Sequence, residues 1–460
     1  MKNHKRILQP IVACFVLLIC IVTLSACFQG PKGARGEPGI PGETVYASYM
    51  DVLEYLWANM SSSEKAAYGN NFTTFIIEWS RENLQGQQGP PGAASDSSLQ
   101  YAANMAVQSA VDITASRTGT HPFSGQAGAG VFYKLDLSTG NGYIITNYHV
   151  VSAYHNVGGL VVANNVRVYL YGLPPVYNSN GTVSSENALP ARVIGGSPDH
   201  DVAILEIRGG DTALISGTSR TIHYVLNYVA AVREAVPASK REPALGTQVV
   251  AVGNPLADTM SVTDGIISVQ SEEIKMPRLD KRKSGGKIED QAFRVMRISA
   301  AINPGNSGGG LYNANGELVG IVQARMFWAD DTGDYPVDNM AYAIPLDVAL
   351  RVADQIILRA PAEYVPPSGN TNAVIVMLKK FEPTLAVAAK NTTVTYDPVL
   401  TEIVIKETVY VTKAGNGRAV NDEIGSITIG DKPPYPITRL YQVDELMIEG
   451  YQKTVVFNKL

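Results

Sequence analysis

The stretch that decides the fold runs over residues 299–321, "SAAINPGNSGGGLYNANGELVGI". It sets Ser307 behind Pro304, Gly305 and Asn306 and ahead of Gly308, Gly309 and Gly310. Glycine loses the most backbone freedom on folding, so a run of it suits a tight turn or a close approach. A hydroxyl alone is a poor nucleophile; it needs a base beside it and a place for the oxyanion its attack creates. A tight turn can aim the N–H groups of Gly305 and Ser307 at one point, with Asn306 as a further contributor. Gly308 and Gly309 are expected to leave room for an extended chain alongside.

Working outward, the base and its orienting carboxylate are sought at strand ends. "IITNYHVVSA", residues 144–153, sets His149 just after an apolar strand. "SPDHDVAILEI", residues 197–207, sets Asp201 at the head of another. The order His, Asp, Ser is that of chymotrypsin-type enzymes and not of subtilisins or α/β-hydrolases. His200 would point to the opposite face of its strand from Asp201 and reads as structural.

Around these residues, short apolar runs follow one another from about residue 101: "GVFYKLD", "VRVYLYG", "ARVIGG", "TQVVAVG", "DGIISVQ", "FRVMRIS", "ELVGIVQA" and "MAYAIP". Many short strands without helices between them predict a barrel or sandwich. Residues 346–358 carry the spacing of an amphipathic helix. Pro361 and "VPPSGNTN" read as a linker. The stretch 216–234 looks inserted, and the charged stretch 271–293 reads as a solvated loop.

Residues 107–358 resemble the protease domain of the HtrA/Deg family. "TNYHVV", "HDVAILEI" and "AAINPGNSGG" are similar to its histidine, aspartate and serine segments. "VVAVGNP", "SVTDGIISV" and "MAYAIP" follow its further landmarks in order. The resemblance implies a mostly β fold, a chymotrypsin-like double β-barrel. It implies that His149 is the general base, that Asp201 holds the imidazole and that Ser307 attacks. Gly305 and Ser307, with Asn306, would form the oxyanion hole. "NDEIGSITIG", "ITRLYQVDELMIEG" and "KTVVFNKL" resemble parts of a small α+β PDZ-like domain, in which "EPTLAV", residues 382–387, is the nearest candidate for a carboxylate-binding loop. Family members cleave unfolded or exposed polypeptides without metal or cofactor and often form trimers; a homotrimer is the expectation here too.

The bulk properties agree. Hydrophobic residues are 45% and charged ones 17% of 460 residues, a globular composition. The net charge of −5 gives no reason to expect nucleic acid as a partner. The three cysteines, Cys14, Cys20 and Cys27, all lie near the start. Lys2, Lys5 and Arg6 precede an apolar run over residues 11–24 that ends in Leu24, Ser25, Ala26 and Cys27. This resembles a bacterial lipobox, with Cys27 lipidated and the chain anchored on the outer face of the cytoplasmic membrane. Gly-X-Y patches at residues 30–42 and 86–92 resemble collagen. The expected organisation is a lipoprotein signal peptide over 1–26, a low-complexity stalk over 27–100, a protease domain over 101–360, a linker over 361–372 and a PDZ-like domain over 373–460.

Overall fold

The structure, a computed structural model, describes residues 57–58, 60–68, 70, 75 and 95–460, except 156–158, 180–182, 241, 255–259, 283–287, 331–332, 369–371 and 398–401. The signal segment, Cys27 and both Gly-X-Y patches lie outside the described residues. The chain divides into units 1–88 and 89–460. In the first, α1 (Ser62–Ala67) opens on a capping box between Ser61 and Glu64. There Phe75 is buried and packs on Trp57 and Tyr68, each with ring centroids 5.3 Å from its own.

The second unit opens with α2 (Ser95–Ser109) and then builds a first barrel. Its strands are β1 (Ala110–Arg117), β2 (Phe123–Asp136), β3 (Asn141–Thr146), β6 (Asn165–Leu170), β7 (Leu189–Ser197) and β8 (Val202–Ile207). The short β4 (Ser152–His155) and β5 (Gly159–Val162) pair with each other, as do β9 (Thr212–Ile215) and β10 (Thr218–Thr221). The sheet order is β7-β6-β1-β2-β3-β8, and pairing of β7 with β8 closes it. Successive residues of a strand face opposite sides. Ile144 and Phe132 therefore fill this barrel, while their neighbours Ile145 and Val131 face the second. The stretch that looks inserted adds β10 and α3 (Ile222–Tyr228), capped by the Thr221 hydroxyl. Its Ile222 and Val225 join the core of the first barrel, so this segment is part of the barrel's packing.

A second barrel follows: β11 (Gln248–Gly253), β12 (Ser261–Arg282), β13 (Ile288–Ile298), β14 (Gly310–Asn313), β15 (Leu318–Asp330) and β16 (Gly333–Pro345), closed in the order β11-β12-β13-β16-β15-β14. Val249, Ile267, Ile298 and Leu311 fill it. A core between the barrels joins Ile145 and Ile204 of the first to Val250, Val252 and Ile321 of the second. The fold is thus mostly β, as the strand runs predicted, and a double barrel, as the family resemblance implied. The charged stretch 271–293 is a correction: β12 and β13 continue through it as a hairpin, with Lys275 opposite Ala292 and Arg282 opposite Ile288. Charged residues there masked the strand in the sequence.

Helix α4 (Leu346–Glu363) runs past Pro361, further than the residue pattern suggested. Proline lacks the N–H that would reach four residues back, and beyond it the turn is closed by the Tyr364 N–H donating to the Ala360 carbonyl at 3.0 Å. The chain then lays β17 (Val376–Met377) parallel to β7, opposite Gly195 and Gly196. Residues expected to start a separate domain thus extend the sheet of the first barrel. Beyond lie the ribbon β18 (Ala386–Asp397) and β19 (Glu402–Lys413), then β20 (Ile424–Ile429) between β21 (Tyr435–Pro436) and β22 (Val455–Lys459), and α5 (Tyr441–Gly450). Ile427, Phe457, Leu446 and Met447 share one core here. In the 382–387 loop, the N–H groups of Thr384 and Leu385 donate to Asn416 Oδ1, at 2.7 and 3.3 Å, so Asn416 occupies these two amides. Helix α5 is fastened by Arg294 of β13, which is 8% exposed and pairs with Glu445, with Asp347 at 2.7 Å and with Glu242 at 3.2 Å.

Candidate active site

The site lies where the two barrels meet. Strand β3 ends at Thr146, and residues Tyr148–Val150 form one 3-10 turn that carries His149. Asp201 sits in the turn between β7 and β8, in the left-handed region with φ 53°. That backbone costs a residue with a side chain on the order of 1 kcal/mol. Hydrogen bonds converge on the residue in return. Its carbonyl accepts Tyr148 N–H at 3.1 Å and Asn147 Nδ2 at 3.0 Å. Its carboxylate accepts His149 N–H at 2.9 Å and lies 2.8 Å from His149 Nδ1. The strain therefore aims the carboxylate at the imidazole. With Nδ1 holding the proton toward Asp201, Nε2 is left as the basic nitrogen.

Electrostatics follow from this placement. Burial pulls the His149 pKa down; the charge of Asp201 and its hydrogen bond outweigh that, and the net shift is upward from 6.5. The imidazole keeps an opening, its side chain being 37% exposed against 10% for Asp201. His200 behaves oppositely. It is buried, with Nδ1 2.8 Å from the Ser197 hydroxyl. Burial, aided by Lys380, pushes its pKa down to about 3, so it stays neutral. The structural reading of His200 agrees with this surrounding.

Ser307 comes from the loop between β13 and β14, across from the His–Asp pair. Its carbonyl accepts Ala129 N–H of β2 at 2.8 Å, which ties the loop to the first barrel. Gly305 has φ 103° and Gly308 φ 87°, conformations that other residues rarely adopt. A Cβ on Gly308 would lie 2.2 Å from the Ala129 oxygen and 2.3 Å from Thr146 Oγ1; one on Gly309 would lie 2.0 Å from the Val252 oxygen. Here the expectation for these two glycines is corrected. The space they leave is filled by the protein's own strands, and it lets the loop lie between both barrels.

The Asn306 N–H donates to the Asn303 carbonyl at 3.0 Å. Among the described residues, the N–H groups of Gly305 and Ser307 have no acceptor, so they are the amides left to meet a developing negative oxygen. The Ser307 hydroxyl donates to the main-chain oxygen of Gln323 at 2.8 Å, not to His149. Gln323, from β15, is 1% exposed, and its Nε2 lies 3.4 Å from Asp201 Oδ2. Sequence reading did not single out Gln323 or Asn147. The one signal for Gln323 was an amide inside the apolar run "LVGIVQA".

Comparison with known proteins bears on this geometry. Residues 109–321 match the trypsin-like peptidase domain family. A "Serine protease HtrA-like" of Staphylococcus aureus is 26% identical over 259 residues, 56% of this chain and 27% of that protein. "Serine protease PepD" of Mycobacterium tuberculosis is 29% identical over 187 residues, 40% of this chain and 34% of its own length. The chain thus spans about a quarter to a third of the length of the curated relatives it matches. Among solved structures, an HtrA-type protease, AlgW, with a tripeptide covers 75% of this chain and 87% of its own, at 20% identity and a TM-score of 0.39.

Proposed function

We propose, from the match of residues 109–321 to the trypsin-like peptidase domain and the similarity to HtrA-like serine proteases, that this chain is a serine endopeptidase of that kind acting through His149, Asp201 and Ser307. The observation that carries the reading is the His149–Asp201 contact of 2.8 Å facing a serine loop with two unengaged amides. In this mechanism His149 Nε2 takes the hydroxyl proton as Ser307 Oγ bonds to the peptide carbonyl carbon. The carbonyl oxygen becomes an oxyanion held by the Gly305 and Ser307 N–H groups. The imidazolium then gives its proton to the leaving amine, and the C–N bond breaks to leave an acyl-serine. Water, deprotonated by the same imidazole, releases the acid and restores the serine. Asp201 stays ionised throughout and fixes the tautomer.

Unfolded or exposed polypeptides are the proposed substrates, as the resemblance to HtrA/Deg proteases implies. The lipobox-like Cys27 supports an anchored protein on the outer face of a bacterial membrane, with a role in envelope protein quality control. The three-stranded sheet, the ribbon and α5 support a PDZ-like domain. Gly-X-Y patches and family habit support a homotrimer.

The test is covalent labelling with an active-site phosphonate. Modification at Ser307, abolished in His149→Ala, is expected, together with cleavage of an unfolded protein that Ser307→Ala cannot perform. Labelling that persists unchanged in His149→Ala would show that this histidine is not the base.

A further inference from the structure

Met377 ends the short strand β17, where it pairs with Gly196 of β7. Strand β7 then runs into the bend that carries Asp201. The Met377 side chain reaches the other member of the same pair. Its Sδ accepts the Tyr148 hydroxyl at 3.8 Å, and Tyr148 precedes His149 in the 3-10 turn. Tyr148 is 3% exposed and tightly held. Its ring lies so close over Gly196 that a Cβ there would stand 2.2 Å from Cδ2. Its main-chain N–H donates to the Asp201 carbonyl at 3.1 Å, and its own carbonyl accepts the Ser152 hydroxyl at 2.8 Å. Met377 itself is 40% exposed. One thioether thus meets solvent on one side and the support of the His149–Asp201 pair on the other.

We propose that Met377 is an oxidation site, reached by peroxides, whose sulfoxide loosens the His149–Asp201 pair. The inference rests on the serine peptidase reading and adds regulation to it. In the reaction a sulfur lone pair forms a bond to one peroxide oxygen as the O–O bond breaks. The departing hydroxide takes the proton of the transferred oxygen and leaves as water. Sulfur loses two electrons and the peroxide gains them; the product is methionine sulfoxide, which reductases reverse. A thioether is a weak acceptor, whereas the sulfoxide turns an apolar side chain into a polar one. The 3.8 Å gap is already a contact distance, so the new oxygen takes the Tyr148 proton only by displacing the phenol. Gly196 leaves the ring no room to turn aside, and the displacement passes to the turn that holds His149. Met340 is the internal comparison. Among the described residues it is the other exposed methionine, at 38%, and it lies on β16 of the second barrel. Exposure is shared by the two; the contact with Tyr148 sets Met377 apart.

The experiment treats the full chain with hydrogen peroxide and maps sulfoxides by mass spectrometry of its peptides. Values of kcat and KM for cleavage of an unfolded protein are followed alongside. Sulfoxide at Met377 is expected to lower kcat by about tenfold and leave KM within about twofold, less than the roughly hundredfold that a misplacement near 1 Å costs. Methionine sulfoxide reductases should restore the rate. Met377→Leu, close in volume, is expected to keep the parent rate and resist peroxide, whereas Met340→Leu stays sensitive. An unchanged kcat with Met377 fully oxidised overturns the proposal. Equal loss in Met377→Leu does so too, as does a Met377 left intact while Met340 is converted. The titration of His149, followed by NMR, needs no turnover. The His149 pKa should fall on oxidation of the parent and stay in place in oxidised Met377→Leu. An untreated chain that cleaves nothing would sink the peptidase reading, and the titration would still decide whether Met377 governs the pair.

Discussion

The two barrels contribute to the site in different states. The first supplies Asp201 with its carbonyl and carboxylate both engaged, by Tyr148, Asn147 and His149. The second supplies a serine whose hydroxyl donates to the Gln323 oxygen and, among the described residues, two amides without an acceptor. On the proposed reading, the acid–base pair is preorganised, and the nucleophile and oxyanion donors are held in reserve. Such a division places the cost of order in barrel 1 at folding and leaves barrel 2 to complete its contacts when substrate arrives.

The strongest way to break this comparison is to unseat the preorganised half. Asp201→Asn removes the charge but keeps the shape, and kcat/KM is expected to fall by roughly 10⁴, the loss that the same change causes in chymotrypsin-type triads. Circular dichroism should show an intact fold. Turnover within about tenfold of the parent would mean that another carboxylate orients the base. The second test strikes the reserve half. Gly308→Ala puts a Cβ 2.2 Å from the Ala129 oxygen at a φ of 87°, so the serine loop must shift. A displacement near 1 Å costs on the order of 100-fold in turnover. An unchanged rate would show that the loop's seat between the barrels does not set its reactivity.

The smallest effect sharpens the comparison through pH. His149 must be neutral to accept a proton, and its pKa lies above 6.5 because Asp201 outweighs burial. As pH falls through that pKa the imidazole gains a proton, and kcat/KM should drop about tenfold per pH unit below it. The midpoint of the acid limb is expected above 6.5. A midpoint well below that value would mean that burial dominates and the pair is weaker than its geometry suggests. His200 should add no second limb, since its surroundings hold it neutral down to about 3.

Much of this was legible in the chain. His149 and Asp201 stand at strand ends flanked by apolar runs, and Ser307 stands in a glycine loop, so short-range patterns disclosed them. The run of short strands pointed to a barrel or sandwich, and the resemblance to HtrA/Deg proteases implied the double barrel. What the chain concealed depended on contacts far apart in sequence. Gln323 reads as one polar break in a strand, and only the register of β15 against β16 makes it a bulge. Residues 271–293 read as a loop because their many charged residues hide the strand pattern that the pairing of β12 with β13 reveals. Gly308 and Gly309 announced a close approach but not its partner, which proved to be the protein's own β2, β3 and β11.

Strand β17 bears on how the molecule can be divided. It covers the flank of β7 at Gly195 and Gly196, and β7 leads directly into the bend that holds Asp201. Any added side chain at Gly195 would strike Ile356 of α4 and the Val376 carbonyl, so this seam is closed by the backbone itself. A catalytic fragment trimmed after α4 would bare an unpaired edge, an invitation to self-association, right behind its own carboxylate. A catalytic piece that keeps this flank covered therefore includes at least the tail through Leu378, whose N–H reaches the Gly196 carbonyl.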